Sequence, residues 1–211
     1  MFYTREPDNA LRFGDVLKGY PSTTPRIEEP ILIGNYPEYT IDVALPKFTV
    51  VMDPSCEIRE QAICLTPLVE VSIRFFDNPY FAEDLTRINR EMDPKQSLSP
   101  FAWSQLSPEE QQTRLNEGRK YALLNLFIYE KHDHFPPYQL KRKGQEEIST
   151  NYYMIDLRNT YKICCKEIIS PEKSPLKSKV LQLSSETRAE LTNKLLKYYE
   201  RIHLEDEALE D

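Results

Sequence analysis

Runs of apolar residues that stop at turn-forming residues divide the first third of the chain into strands. Residues 13–20 alternate apolar and polar positions between a Gly-Asp turn and a proline, which predicts a strand. Residues 47–53 and 62–69 are almost continuously apolar and rich in β-branched residues, as is typical of strands buried on both faces of a sheet. Residues 38–45 predict a weaker strand, and the polar, proline-bearing residues 21–30 predict a loop.

The middle of the chain, residues 79–120, is polar and helix-prone, and it predicts a helical insertion between strands. Ser107 and Glu110 have the spacing of a capping box, and Pro108 suits the first turn of the helix that follows. Gly118 is placed to end that helix.

Strand patterns return after the insertion, and an amphipathic helix closes the chain. The predicted strands are 121–129, 152–157, 160–165 and 180–183. The closing helix begins at Ser184 or Ser185, and it carries apolar residues at spacings of four, three and four, namely Leu191, Leu195, Tyr198 and Ile202. Residues 205–211 form an acidic tail with the character of a frayed end.

Several short strands, one helical insertion and one closing helix predict an α+β fold. The expected core is a small antiparallel β-barrel. The length of 211 residues leaves room for one domain, which we place at residues 1–204, with the helical insertion at about 79–120 and the tail at 205–211.

The composition excludes several classes of protein. With 40% hydrophobic residues the chain is not wholly disordered. A net charge of −7 argues against a protein that coats nucleic acid by bulk electrostatics, although it allows a local basic groove. No apolar run approaches the roughly 20 residues that span a bilayer. The N-terminus also lacks the layout of a signal peptide, so we expect no membrane association.

The four cysteines are interpreted as reduced thiols. They are Cys56, Cys64, Cys164 and Cys165. None forms a Cys-x-x-Cys motif, and the adjacent pair does not readily bridge to itself. This pattern favours a cytoplasmic location.

The turn at residues 53–57 follows a predicted buried strand, where a rigid scaffold can present reactive side chains. Cys56 is a candidate nucleophile if a base lies beside it. No histidine is near it in sequence, so a packed structural cysteine is the alternative interpretation. Ser55, after Pro54, is a turn former that could also supply a hydroxyl.

The loop at residues 131–150 interleaves basic and aromatic residues. Its candidate RNA-binding residues are Lys131, Phe135, Tyr138, Lys141, Arg142 and Lys143. Aromatic rings stack on bases and cations follow phosphates in proteins that bind single-stranded nucleic acid. The alternative is a solvated hairpin loop whose aromatic rings pack back on the sheet.

Two histidines in the same loop raise the question of a metal site. His132 and His134 could both ligate a metal, but no third ligand is near them in sequence. We therefore predict neither a metal site nor a cofactor.

The first seventy or so residues resemble the opening of the MazF/PemK-like toxins. Gly14-Asp15-Val16 is similar to the family's opening Gly-Asp-Val, Lys47 to Asp53 to its Val-rich strand after Arg-Pro, and Ala62 to Leu68 to the strand after that. The chain is also similar to bacterial MazF-like proteins with a Ser-Cys turn, a middle helical insertion, a Tyr-rich strand and a closing helix. Some of these are found in defence operons, including type III CRISPR loci with a Lon-like protease. The resemblance implies an SH3-like barrel.

That resemblance also implies an endoribonuclease that cleaves single-stranded RNA without a metal, as a toxin or antiviral defence effector. In such chemistry the ribose 2′-OH attacks the adjacent phosphorus, a cation stabilises the developing charge and a hydroxyl holds a phosphate oxygen. The family's arginine falls at Lys47, a point charge rather than a bidentate fork, with Arg26 as a more distant cation. Ser55 is the candidate hydroxyl, and Lys18 adds charge to the expected rim.

A second hypothesis is a catalytically inactive barrel that acts as a protein-binding regulatory module, for example by sequestering a sigma factor. A ribonuclease needs a basic rim, whereas a binding module needs an exposed apolar or acidic patch. The net charge favours the module, and the resemblance favours the enzyme. The partners that fit these two classes are single-stranded RNA, a protein regulator (antitoxin, protease or sigma factor) and a second copy in a homodimer.

Overall fold

The computed structural model describes residues 1–27, 39–54, 62–78, 81, 84–90, 103, 105–117, 123–141, 144, 147–164 and 175–207. Their contacts divide the chain into two compact units. We call Arg5–Val69 with Asn159–Gln182 the strand unit, and Met1–Thr4, Glu70–Arg158 and Leu183–Asp211 the helix unit.

The described residues form short strands and two α-helices. The strands are β1 (Val16–Lys18), β2 (Ser22–Ile27), β3 (Tyr39–Ala44), β4 (Phe48–Val51), β5 (Ala62–Glu70), β6 (Leu126–Tyr129), β7 (Tyr138–Leu140), β8 (Ile148–Thr150), β9 (Tyr153–Asp156), β10 (Tyr161–Cys164) and β11 (Lys179–Leu181). The helices are α1 (Pro108–Asn116) and α2 (Ser185–Glu207), and 3₁₀ turns lie at Ile73–Phe75, Leu85–Asn89, Leu157–Asn159 and Pro175–Ser178.

An antiparallel sheet in the order β11-β1-β4-β5-β10 forms the body of the strand unit. All four residues of β4 are buried, and β4 pairs with both β1 and β5. The predominantly apolar sequence of β4, in which Thr49 is the one polar residue, is therefore explained by its central place in the sheet, as the sequence predicted. Leu17, Val51 and Ile63 are fully buried in the core beneath it.

A buried ion pair ties the two ends of the strand unit's sequence together. The Lys179 ammonium lies 2.8 Å from the Asp15 carboxylate, and both side chains are buried. Lys179 also donates to the carbonyl of Ala10 at 2.7 Å and to the side-chain oxygen of Gln182 at 2.6 Å. Three oxygen atoms of the protein therefore partner this ammonium, which offsets the cost of burying its charge.

The Asp8 carboxylate lies at the edge of the same network. The Arg12 guanidinium donates to it at 2.6 Å, and this hydrogen bond is the main reason that the pKa of Asp8 is lowered to about 2. Both side chains are partly exposed, so this pair contributes less to stability than the buried one does.

Strands β6 and β9 pair in the helix unit, and β7 and β8 form a hairpin. All four residues of β6 are buried. Asn89, in the 3₁₀ turn Leu85–Asn89, donates to the Ile128 carbonyl at 2.7 Å and accepts from the Ile128 amide at 2.6 Å, which fixes that turn against β6.

Both α-helices begin at the serine caps that the sequence predicted. The Glu110 amide donates to the Ser107 hydroxyl at 3.3 Å, and the Glu110 carboxylate accepts from the Ser107 amide at 2.8 Å, which completes the capping box of α1. Ser184 caps α2, since its hydroxyl accepts from the Thr187 amide at 3.2 Å. Leu191 of the predicted apolar stripe is fully buried.

The α+β class with antiparallel strands is confirmed, but the predicted closed barrel is wrong. The two edge strands of the strand unit's sheet, β10 and β11, do not pair with each other in the described residues, so the sheet is open. These strands have only four and three residues, and the register between β1 and β11 shifts between Val16 and Leu17. Closure requires a continuous staggered ladder between the first and last strands, which edges this short do not supply.

Two segments that were predicted as loops contain strands instead. Ser22–Ile27 is strand β2, although it carries Pro25, because it pairs with β3 in a two-stranded ribbon. Tyr138–Leu140 and Ile148–Thr150 form the β7–β8 hairpin inside the predicted loop 131–150. In both cases a neighbouring strand overrides a weak local preference.

The division into two units leaves the predicted single domain at 1–204 untested, because compact units of this size also occur within one domain. The described residues contain no helix that combines the length and the apolar character needed to cross a bilayer.

Candidate functional site

Strands β2 and β3 form an exposed two-stranded ribbon, which we call the arm. Its antiparallel register places Thr23 opposite Val43 and Thr24 opposite Asp42. Side chains alternate between the two faces of a strand, so Ile41, Val43 and, just past the strand, Leu45 share one face. We call this the apolar face of the arm.

The apolar face is open to solvent. The side chains of Ile41, Val43 and Leu45 are 57%, 62% and 80% exposed. The opposite face carries Asp42, which is also exposed. An exposed row of large apolar residues costs solvation free energy, and such rows mark surfaces that another molecule covers.

The sequence explains why the arm forms as a ribbon. Half of the residues in each strand are β-branched, and such residues favour extended backbone even where little surface is buried. The arm adds its main-chain hydrogen bonds without a hydrophobic core of its own, and isolated two-stranded ribbons are marginally stable in water. A partner on the apolar face would therefore stabilise the arm itself.

Two of the predicted site residues lie together at the foot of the arm. Lys18 is opposite Phe48 in the β1–β4 ladder, and the Gly19 amide donates to the Lys47 carbonyl at 2.9 Å. Both lysine side chains are exposed. Gly19 adopts a positive φ of 47°, which turns the chain from β1 towards the arm. The structure thus places two cations at the same end of adjacent strands.

Of the other predicted catalytic residues, only Arg26 lies within the described residues. The backbone of Arg26 lies in β2, opposite Thr40, and thus in the arm. Ser55 and Cys56 lie outside the described residues. Asp53, just before them, accepts a hydrogen bond from the Cys64 amide at 2.5 Å, which joins the end of β4 to β5.

The two predicted base-stacking aromatics are buried in the helix unit. The ring centroids of Phe135 and Tyr153 lie 4.9 Å apart. Tyr138, the first residue of the β7–β8 hairpin, is also buried. The Tyr138 hydroxyl accepts from the Val71 amide at 2.6 Å and lies 2.8 Å from the Tyr152 carbonyl. Burial raises the pKa of Tyr138 well above its usual range. These two rings therefore fit the alternative interpretation of the loop, in which its aromatic residues pack against the rest of the fold.

Two of the cations predicted beside those aromatics, Lys131 and Lys141, are described, and both are exposed. Lys131 lies 4.7 Å above the ring of Tyr152, and Lys141 pairs with Glu147 at 3.1 Å. Arg142 and Lys143 lie outside the described residues. An RNA-binding role for this loop stays a prediction.

The two histidines of the loop stack on each other. The rings of His132 and His134 stack 5.1 Å apart, and the His134 amide donates to the His132 Nδ1 at 3.2 Å. In the part of the chain that the structure describes, no group of three or more His, Cys, Asp or Glu side chains has the arrangement of a metal site.

A cavity of about 560 Å³ in the helix unit was not predicted from the sequence. Glu130, Glu186 and Glu190 line it, together with Phe2 and Arg90. These residues come from separate parts of the chain, so no local sequence signal could have grouped them. Asp84, also at the cavity, is occupied in capping the 3₁₀ turn through the Thr86 amide at 2.9 Å.

Comparisons of the chain with family models, with curated proteins and with solved structures gave no match. The resemblance to the MazF/PemK-like toxins therefore stays a prediction, and the functional argument depends on the geometry above.

Proposed function

We propose that this chain is a protein-binding module whose arm docks on another protein molecule through its apolar face. The observation that carries the proposal is the exposure of Ile41, Val43 and Leu45 in one row on one face of a ribbon. Contiguous exposed apolar residues of this kind are typical of protein interaction surfaces.

The chemistry of the arm suits a protein partner better than a nucleic acid. The exposed side chains of Ile41, Val43 and Leu45 present methyl groups rather than cations, so they offer no phosphate neutralisation. The chain's net charge of −7 likewise disfavours a polyanion. The module is proposed to work in the cytoplasm, since Cys64 and Cys164, the cysteines among the described residues, are not joined in disulfides and Cys164 is exposed.

Photo-crosslinking in the source cells tests this proposal. A photoreactive amino acid replaces Val43 on the apolar face, and in the matched control it replaces Thr24, which is exposed on the opposite face. We expect a protein adduct of defined mass at position 43 and a much weaker one at position 24. Equal yields at both positions, or no adduct at either, would contradict the proposal.

A second candidate function is metal-independent cleavage of single-stranded RNA, which the presence of Lys18 and Lys47 at the same end of adjacent strands favours. A cation beside the scissile phosphate can stabilise the charge that develops on it. Purified chain would be incubated with a long single-stranded RNA in EDTA, alongside Lys47→Ala and the control Lys162→Ala, which changes an exposed lysine of β10 that is not a predicted site residue. Cuts that end in cyclic phosphate and are lost only in Lys47→Ala would support cleavage, whereas intact RNA would count against it.

A further inference from the structure

We propose that the cavity of the helix unit binds a basic amino acid, a small ligand that carries a carboxylate at one end and a cationic group at the other. All of the described residues that line the cavity belong to the helix unit, so this proposal does not depend on the arm. The volume of about 560 Å³ falls within the roughly 300–1,000 Å³ that is typical of small-molecule sites.

Charged groups of opposite sign line this cavity without neutralising each other. Arg90 shares the cavity wall with Glu130 and Glu190. Among the described residues, these three side chains form no ion pair or hydrogen bond, either with each other or with a neighbour. The guanidinium is therefore available to a carboxylate of a ligand, and the two carboxylates are available to its cations.

The balance of charge at the cavity favours a ligand with a net positive charge. The carboxylates that line it belong to Asp84, Glu130, Glu186 and Glu190. Its cations are Arg90 and the amino group of Met1, which lies 3.8 Å from the Glu186 carboxylate. Burial raises the pKa of the nearby Tyr152, and the carboxylates of Asp84 and Glu130 raise it further. A polyanion such as a nucleotide would be repelled here, whereas a basic amino acid suits both signs of charge.

The backbone that carries Arg90 is held in place by two packed elements. Arg90 follows the 3₁₀ turn Leu85–Asn89, and the side chain of Asn89 fixes this turn against β6. The buried ammonium of Lys194, in α2, donates to the Ile88 carbonyl of the same turn. The position from which the Arg90 side chain enters the cavity is therefore set before a ligand arrives, which lowers the cost of binding.

The backbones of the two unpaired glutamates are held in a similar way. Glu130 follows the buried strand β6, and its carbonyl accepts a hydrogen bond from the Tyr3 hydroxyl at 2.6 Å. Glu190 lies in α2 directly before the fully buried Leu191. Three separate elements thus present one guanidinium and two carboxylates to the same cavity.

The groups of a basic amino acid match this arrangement one by one. Its α-carboxylate would accept two hydrogen bonds from the Arg90 guanidinium. Its ammonium and its side-chain cation would bind the carboxylates of Glu130 and Glu190. Phe2 supplies an apolar part of the wall, along which the methylene groups of the ligand would lie. A free amino acid and the C-terminal residue of a peptide share this chemistry.

Titration calorimetry of the full chain with a matched set of ligands tests the proposal. Agmatine is arginine without its carboxylate, and L-citrulline is arginine with an uncharged side-chain end. We expect L-arginine to bind at least about tenfold more tightly than either, because each analogue loses a hydrogen-bonded charge. N-acetyl-L-arginine distinguishes the two sources: weaker binding than L-arginine indicates a free amino acid, and equal binding indicates a peptide C-terminus.

Two variants of the chain assign the charges of the ligand. Arg90→Gln should weaken L-arginine by about tenfold and leave agmatine no weaker, since agmatine has no carboxylate to lose. Retained agmatine binding also shows that this variant is folded. Glu190→Gln should weaken both by about tenfold and leave L-citrulline unchanged. The matched controls are Arg74→Gln and Glu200→Gln, which change exposed residues outside the cavity and should alter none of these values.

Each outcome decides the proposal. No binding of L-arginine at about 10 mM would overturn it. Agmatine that binds as tightly as L-arginine would also overturn it, since plain attraction of cations would then explain the binding. The same holds if Arg90→Gln weakens the two ligands equally. The photo-crosslink on the arm reads a different surface, so failure here leaves the proposed function standing.

Discussion

Replacing Lys179 by methionine tests the buried ion pair of the strand unit. The change removes the ammonium that lies 2.8 Å from Asp15 and keeps a side chain of similar length. Asp15 would then be a buried carboxylate with its cation gone, although the Arg12 amide still donates to it at 2.9 Å. Breaking a buried pair by removing one partner costs about 3–5 kcal/mol, because the other charge is left uncompensated.

The expected effect is large enough to measure in a chain of this size. At about 2–4 °C per kcal/mol, the melting temperature of Lys179→Met should fall by roughly 6–20 °C. Urea unfolding followed by circular dichroism measures the free energy of unfolding directly. The control is Arg12→Gln, which removes the partly exposed pair with Asp8 and should cost less than about 1 kcal/mol.

A double-mutant cycle separates the pair from general damage to the fold. Asp15→Asn alone leaves Lys179 buried without its anion, whereas Asp15→Asn combined with Lys179→Met removes both charges. The cost of the double variant should be at least about 2 kcal/mol smaller than the sum of the single costs. Additive costs, or a loss below about 1 kcal/mol for Lys179→Met, would refute the reasoning.

Three further predictions concern single buried groups. The Thr49 hydroxyl is buried without a hydrogen-bond partner among the described residues, so Thr49→Val should raise the free energy of unfolding by about 1 kcal/mol in urea titrations, and a loss would contradict this. Tyr138→Phe leaves the buried Val71 amide without its acceptor and should cost about 1–3 kcal/mol by the same measurement, so an unchanged midpoint would count against that bond. Burial lowers the pKa of Lys194 from 10.5 to about 8, while its ammonium donates to the Ile88 carbonyl. The unfolded chain keeps this proton to a higher pH than the folded chain does, so the free energy of unfolding should rise with pH above about 8, relative to Lys194→Met. Parallel profiles of unfolding free energy against pH for the two chains would contradict this prediction.

The parts of the fold that the sequence predicted are those decided by local chemistry. β4 is mostly apolar because it is buried on both sides, and Ser107 caps α1 because Glu110, three residues later, completes the capping box. Both signals lie within a few neighbouring residues. The barrel, by contrast, required strands at the two ends of a sheet to pair, and pairing of strands far apart in sequence leaves no local pattern.

The candidate site was harder to predict for the same reason. The alternation of Ile41, Val43 and Leu45 is visible in the sequence, but the same alternation describes a strand that covers a core. Whether such a face is exposed depends on the absence of a covering element, which is a property of the whole unit. Phe135 and Tyr138 show the opposite error: the sequence suggested that they are exposed for base stacking, but the fold buries both side chains.

The photo-crosslink at position 43 tests the central claim most directly, because it reports whether another protein lies on the apolar face of the arm. The account predicts an adduct of defined mass from the photoreactive residue at position 43 and a much weaker adduct from the one at position 24, which is exposed on the opposite face. Equal yields at the two positions, or no adduct at either, would contradict the account.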